Sequence, residues 1–272
     1  MEVFRDIAYY EVPGTDPKGL SLDIYTPCSE ECTCPRPVMI YVHGGGWTRG
    51  DKSAVAEKPQ FFTEEGFIFI STNYRMTPEV EFPIHVEDVA RAIGWVHANI
   101  SEYGGDPQQI FLMGHSAGAH LVSLVATDGQ YLRRFGLSLD ALSGVISNDT
   151  QAYDIPWQAQ QQGGQLRAAY ADTFGQDPDC WALFSPLTHV EPNKGIPPML
   201  LLVSRGMSSL WINPQRLMAT QAFAEALDAA SIPVKIINIP QKTHGQINQQ
   251  IGEPGDAETQ EILEFLENLL RR

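Results

Sequence analysis

Hydrophobic positions change their spacing several times along this chain. DIAYYEV (6–12) and LSLDIYTP (20–27) alternate apolar and polar residues, the period-two pattern of half-exposed antiparallel strands. PGTDPKG between them supplies turn residues. Three short apolar runs follow, PVMIYVHG (37–44), GFIFISTNY (66–74) and QIFLMGHS (109–116), and later come SGVISND, PPMLLLVS and PVKIINIP. Such runs suit parallel strands covered on both faces. Val86, Val89, Ile93, Val96 and Ile100 fall at helical spacing before QIFLMG, and a helix is predicted from Ala117 to Ala126 after it. Ala219, Phe223, Ala226 and Ala230 mark a helix between the last two strands, and Ile262, Phe265, Leu266 and Leu269 mark a terminal one.

The alternation of strand and helix predicts an α/β fold, a mostly parallel, doubly wound sheet with the two N-terminal strands added antiparallel at one edge. Residues 151–195 interrupt it. They are rich in Gln, Ala and aromatics, including Tyr153, Trp157, Tyr170, Phe174 and Trp181, with weak periodicity. We read them as a lid-like insertion over the strand ends, where ligands bind in open α/β sheets. No repeat or linker divides the chain, so one domain over 1–272 is expected.

Composition narrows the function classes. With 272 residues, 43% of them hydrophobic, a large core forms without disulfides or metals. A net charge of -15 repels phosphate backbones and argues against nucleic-acid binding. It also disfavours anionic substrates unless a local basic pocket overrides it. No apolar run approaches the roughly 20 residues needed to span a bilayer. MEVFRDIAYYEV does not read as a secretory signal, so a soluble cytoplasmic protein is expected. Cys28, Cys32 and Cys34 crowd in PCSEECTCPRP while Cys180 stands apart. Their spacing fits no standard zinc pattern and reads as a loop with free thiols, a disulfide being left open.

The chemistry begins at GHSAG, Gly114 to Gly118. It fits G-x-S-x-G, follows an apolar run and opens a predicted helix, the context that makes Ser116 a candidate nucleophile. His43-Gly44-Gly45-Gly46-Trp47 follows the strand PVMIYV. Consecutive glycines leave backbone amides unshielded, as an oxyanion hole requires. Gly45, Gly46 and Ala117 are the candidate donors. His43 reads as a loop-holding residue, Trp47 as pocket wall or packing, and Arg49, Asp51 and Lys52 as a solvated or loop-pinning set.

HGGGW, SAGAHL and a late histidine resemble the serine carboxylesterases of the α/β-hydrolase superfamily, especially the hormone-sensitive-lipase-like and feruloyl-esterase-like groups. Kynurenine formamidases carry a similar HGG-x-W loop and GHSAGAHL elbow. The resemblance covers nearly the whole chain and implies the α/β-hydrolase fold and a triad in the order Ser, acid, His. His244, in QKTHGQIN after the last strand, takes the base position. His115 belongs to the elbow; His85 and His97 read as packing or surface residues, and His189 as a weaker alternative base.

The acid departs from the pattern. Its usual place follows PPMLLLVS, where Ser209 stands, and no Asp or Glu occurs from Ser204 to Gln221. One reading moves the acid to Asp149 at the preceding strand end, with Asp154 as a lesser candidate. Another leaves His244 oriented by Ser208 or Ser209. A third makes the chain a non-catalytic binding protein. The expected activity is two-step hydrolysis of short-acyl or aryl esters without metal or organic cofactor, with an arylformamidase-type amidase as the alternative. The expected partner is a small ester or amide, and self-association through an edge strand or the terminal helix is left open.

Overall fold

The computed structural model describes residues 1–28, 34–161, 163–207 and 213–271. Its eight strands are β1 (Glu2–Ala8), β2 (Ser21–Thr26), β3 (Arg36–Val42), β4 (Ile68–Thr72), β5 (Gly105–His115), β6 (Leu142–Asn148), β7 (Met199–Ser204) and β8 (Val234–Ile239). They form one sheet in the order β1-β2-β4-β3-β5-β6-β7-β8. β1 pairs with β2 and β2 with β4 antiparallel, and the remaining pairs are parallel. The helices are α1 (Lys58–Glu64), α2 (Ile84–Asn99), α3 (Ala117–Thr127), α4 (Gln130–Arg133), α5 (Ile155–Gln161), α6 (Gly163–Phe174), α7 (Pro214–Ala229), α8 (Gln246–Gln249) and α9 (Ala257–Leu270).

Period-two geometry divides the strand residues between two faces. Val38, Ile40, Val42, Ile110, Leu112 and Val145 pack with α2 and α3 through Val86, Val89, Ile93, Leu121 and Val122. Met39, Tyr41, Phe111, Met113 and Ile146 pack with α1 and α9 through Phe62, Ile262 and Leu266. Each fully buried aliphatic contributes roughly 1.5–3 kcal/mol, and both faces are covered, which is why these strands read as continuous apolar runs. The fold is that of the α/β hydrolases.

The first strand sits four residues earlier than its alternation suggested. Its register shifts between Phe4 and Ile7, and Asp6 adopts φ 55°. Tyr9, just past the strand, still gives its amide to Leu20 O at 3.1 Å, and its buried hydroxyl donates to the Asn73 carbonyl at 2.9 Å. Residues 151–195 are more regular than their weak periodicity implied. They hold α5, α6 and two 3-10 turns at Pro178–Phe184 and Pro186–His189.

The chain crosses from β3 to β4 on one side and continues from β5 to β8 on the other. The carboxyl ends of β3 and β5 therefore flank the point where strand order reverses, the usual location of a ligand crevice. Among the described residues, no helix is long and apolar enough to cross a membrane.

Candidate active site

Ser116 sits between β5 and α3 with φ 55° and ψ -117°, a conformation that L-residues adopt only under surrounding constraint. Its amide donates to Asn148 O at 2.9 Å. The flanking glycines are dictated by contact. A Cβ on Gly114 would lie 2.3 Å from Gly118 O, and one on Gly118 would lie 2.1 Å from Val42 O. Small residues thus let α3 start hard against β3 and leave the serine at the tip of the turn.

The loop after β3 approaches that tip. A Cβ on Gly44 would stand 3.0 Å from Ser116 Cβ. Gly45 takes φ 127° and Gly46 φ 62°; a Cβ on Gly45 would collide with Arg49 O at 1.8 Å. Among the described residues, the amides of Gly45, Gly46 and Ala117 donate to no protein acceptor. His43 holds the loop: Nδ1 donates to Gly44 O at 2.8 Å and the ring stacks on Tyr74. Trp47 both packs and lines the site. Its Nε1 donates to His120 Nδ1 at 3.2 Å, and its ring meets Tyr170 and Phe174 edge-on. Lys52 pins the loop from below through ion pairs to Asp6 and Asp23, while Asp51 accepts from the Ser53 amide.

His244, in the loop after β8, places Nε2 at 3.0 Å from Ser116 Oγ and Nδ1 at 2.6 Å from Asp149 Oδ2. These two contacts set the tautomer, with Nδ1–H donating to the carboxylate and Nε2 accepting from the serine hydroxyl. The loop is fixed by its backbone: His244 N donates to Gly206 O, and His115 Nε2 donates to His244 O, both at 2.9 Å. Burial pushes the His115 imidazole down to about 3, with the nearby His244 adding to the effect, so His115 is a neutral brace.

Asp149 immediately follows β6, fully buried and at φ 61°. Ser204 at the end of β7 gives its amide to Oδ1 at 2.9 Å and its hydroxyl to Oδ2 at 2.5 Å. Arg216, in the first turn of α7, donates from Nη1 to Asp149 O at 2.6 Å and lies 3.4 Å from Oδ2. Burial alone would raise this carboxyl. The Arg216 charge, the His244 contact and the Ser204 hydroxyl outweigh it and hold Asp149 well below the usual carboxylate range.

The other histidines and carboxylates stand apart. Asp154 accepts from Trp157 N at the start of α5, a helix-capping role. His189 faces Leu183 O and Asp128. His85 is buried beside Phe82 and Thr77, and His97 is half-buried on the last turn of α2. Ser208, Ser209 and Cys32 lie outside the described residues. Two residues near the site were given no role from the sequence, His120, although it lies within SAGAHL, and Arg216. His120 links Trp47 to Phe184 O of the 151–195 segment at 2.8 Å. Of that segment's aromatics, Tyr170 lines the site, whereas Tyr153 stacks on Phe223 and Trp181 donates to Gly175 O within the segment.

A cavity of about 100 Å³ opens on Ser116 and is walled by Trp47, Ala117, Asp149, Gln151, Tyr170 and Arg216, among others. Three of its residues, Trp47, Ser116 and Asp149, have left-handed backbones without being glycine. Strained conformations of this kind concentrate at functional sites. Among the described residues, no His, Cys, Asp and Glu side chains group so as to hold a metal ion.

Known proteins share this arrangement's fold and sequence. Esterase LipC of Mycobacterium tuberculosis is 31% identical over 245 residues, 85% of this chain and 58% of LipC. The probable carboxylic ester hydrolase LipM of the same organism is 42% identical over 122 residues, 44% of this chain and 27% of LipM. The chain thus spans less than two thirds of these curated relatives. Among solved structures, a truncated carbohydrate esterase from gut microbiota aligns with TM-score 0.80 at 19% identity, covering 100% of this chain and 97% of that one. Esterase B from Lactobacillus rhamnosis aligns with TM-score 0.79 at 21% identity, covering 98% and 85%. At such identities the structures speak to the fold. The BD-FAE family model matches residues 22–207, and with it the elbow, the glycine loop and the Asp149 strand end: the chain belongs to the BD-FAE family.

Proposed function

We propose that the chain is a serine hydrolase that cleaves short-acyl carboxylic esters through an acyl-enzyme. The carrying observation is the continuous relay from Ser116 Oγ through His244 to Asp149, with contacts of 3.0 and 2.6 Å. Ser116 attacks the ester carbonyl as His244 Nε2 takes its proton. Asp149 holds the imidazole in the required tautomer and stabilises the imidazolium without itself becoming protonated. The amides of Gly45, Gly46 and Ala117 receive the developing oxyanion. His244 then protonates the leaving alcohol, and activated water releases the acid.

The size of the cavity supports a short acyl group. A volume of about 100 Å³ has room for roughly three water-sized groups, well under the 300 Å³ or so at which drug-sized sites begin. Esters rather than amides are favoured by the relatives, which are named esterase and carboxylic ester hydrolase.

The test is turnover of p-nitrophenyl acetate by wild type and by Ser116→Ala, together with labelling by a fluorophosphonate. Wild type is expected to turn over and label, and the variant to do neither. Undiminished hydrolysis by the purified variant sinks the proposal.

A further inference from the structure

Arg216 is out of place by local rules. It is the third residue of α7, which starts at Pro214, and the positive end of a helix dipole favours acidic side chains. It is also only 5% exposed, although an arginine cannot shed its charge. A buried cation at a helix N-terminus needs a compensating partner. That partner is Asp149, reached twice by Nη1: 2.6 Å to the backbone carbonyl and 3.4 Å to Oδ2.

The backbone contact matters most. Asp149 leaves β6 at φ 61°, a turn that a non-glycine residue keeps only if its surroundings over-determine it. The turn is gripped on both sides. The Asp149 amide donates to Leu202 O at 2.9 Å, and the carbonyl is taken by Arg216. With the peptide fixed, Ser204 sets the carboxylate plane and Oδ2 meets His244. The same guanidinium nitrogen lies 3.4 Å from His244 Nδ1. Both groups are donors there, so the contact is electrostatic and opposes a positive charge on the imidazole.

We propose that Arg216 is a positioning residue that clamps the left-handed Asp149 turn and thereby aims the carboxylate at His244. This rests on the esterase reading above. Among the described residues, the other polar or titratable groups in contact with His244 are His115 from β5 and Ser116 from the elbow, with Asp149 across from Arg216. Lys58 and Tyr153 act at longer range, on His115 and beside Asp149 respectively. Burial pushes the Tyr153 hydroxyl above the working range, so Tyr153 brings no charge to the site.

The experiment compares wild type, Arg216→Lys and Arg216→Met by steady-state kinetics on p-nitrophenyl acetate from pH 5 to 9. Histidine ¹⁵N NMR titrations of the same proteins read the imidazole without needing activity. Arg216→Met is expected to lose about 100-fold in kcat with KM within about threefold, and its His244 ¹⁵N signals should move away from those of wild type as the Asp149 contact loosens. Arg216→Lys keeps a charge on a differently shaped head, and is expected to lose about tenfold in kcat with the His244 signals close to those of wild type. Reduced stability with unchanged kcat and unchanged His244 signals in both variants overturns the proposal. So does a raised KM at unchanged kcat, which would make Arg216 a substrate contact. Should Arg216→Met not fold, Arg216→Lys decides through its kcat at unchanged KM. Absence of turnover by wild type would instead refute the esterase reading, and the NMR titration would still report on the clamp.

Discussion

Asp149 and Ser204 are joined twice across neighbouring strand ends, by amide to Oδ1 and by hydroxyl to Oδ2. The end of β7 therefore supplies donors to a carboxylate from β6 rather than a carboxylate of its own. Ser204 also accepts from Gly206 N at 2.9 Å, and Gly206 O receives the His244 amide. The end of β7 and the residues just after it thus contact both the Asp149 carboxylate and the His244 backbone.

If Asp149 has the role proposed, Asp149→Asn lowers kcat on p-nitrophenyl acetate by about 10²–10⁴-fold while the fold persists, because an amide no longer sets the imidazole tautomer. Asp154→Asn, altering a helix cap, should stay within about threefold of wild type. Rates of the two purified variants, with circular dichroism as the folding control, check this pair.

The glycine loop predicts a contrast. Gly45→Ala places a methyl 1.8 Å from Arg49 O at φ 127°, so the loop must shift, and esterase activity should fall by more than about 100-fold. Gly46→Ala meets open space at φ 62° and should cost only about 1 kcal/mol of stability. Thermal unfolding and kcat, measured together, separate the two.

Tyr170 walls the cavity on Ser116. Tyr170→Ala is expected to raise the butyrate-to-acetate ratio of kcat/KM about tenfold, since two further methylenes become buried at roughly 0.8 kcal/mol each. A chain-length series of p-nitrophenyl esters reads the change directly.

A buried pair beneath the His244 loop makes stability depend on pH. Burial pushes the Glu258 carboxyl up from 4.5 to about 7, against the pull of Lys242. Burial pushes the Lys58 ammonium down from 10.5 to about 7; its Nζ donates to Asn248 O at 2.5 Å. Folded Glu258 keeps a proton that the unfolded chain releases, so its contribution falls as pH rises from 4.5 to about 7. Folded Lys58 gives up a proton that the unfolded chain keeps, so its contribution rises from about 7 to 10.5. Glu258→Gln should remove the lower slope and Lys58→Met the upper one. Urea midpoints between pH 5 and 10 would show whether they do.

Much of this architecture was legible in the chain. The later apolar runs became β3 to β8; burial on both faces leaves a strong, local signature in β3 to β7, whereas the edge strand β8 is only half-buried. The meeting of Ser116 with His244 was foreshadowed by a motif and by chain order, and the approach of Asp149 by its place at a strand end. Arg216 was not readable, because its meaning lies in a contact 67 residues away and helix electrostatics argue against it. The Trp47–His120 bond, 73 residues apart, was hidden for the same reason. α5 and α6 escaped because they pack largely on each other and on neighbouring turns, which weakens a one-sided stripe. β1 was misplaced because a register shift between Phe4 and Ile7 interrupts the alternation by which a strand is read.

The contacts of His244 are long in sequence: 128 residues to Ser116 and 95 to Asp149. Its loop is held by β5, by the residues just after β7 and, through Lys242, by Asp256 and Glu258 of the C-terminal segment. Such distant pairings form late in folding, after the intervening chain has closed its loops. Refolding monitored by returning esterase activity should therefore lag behind far-ultraviolet circular dichroism. The lag would time the docking of the C-terminal segment onto a sheet that has already formed.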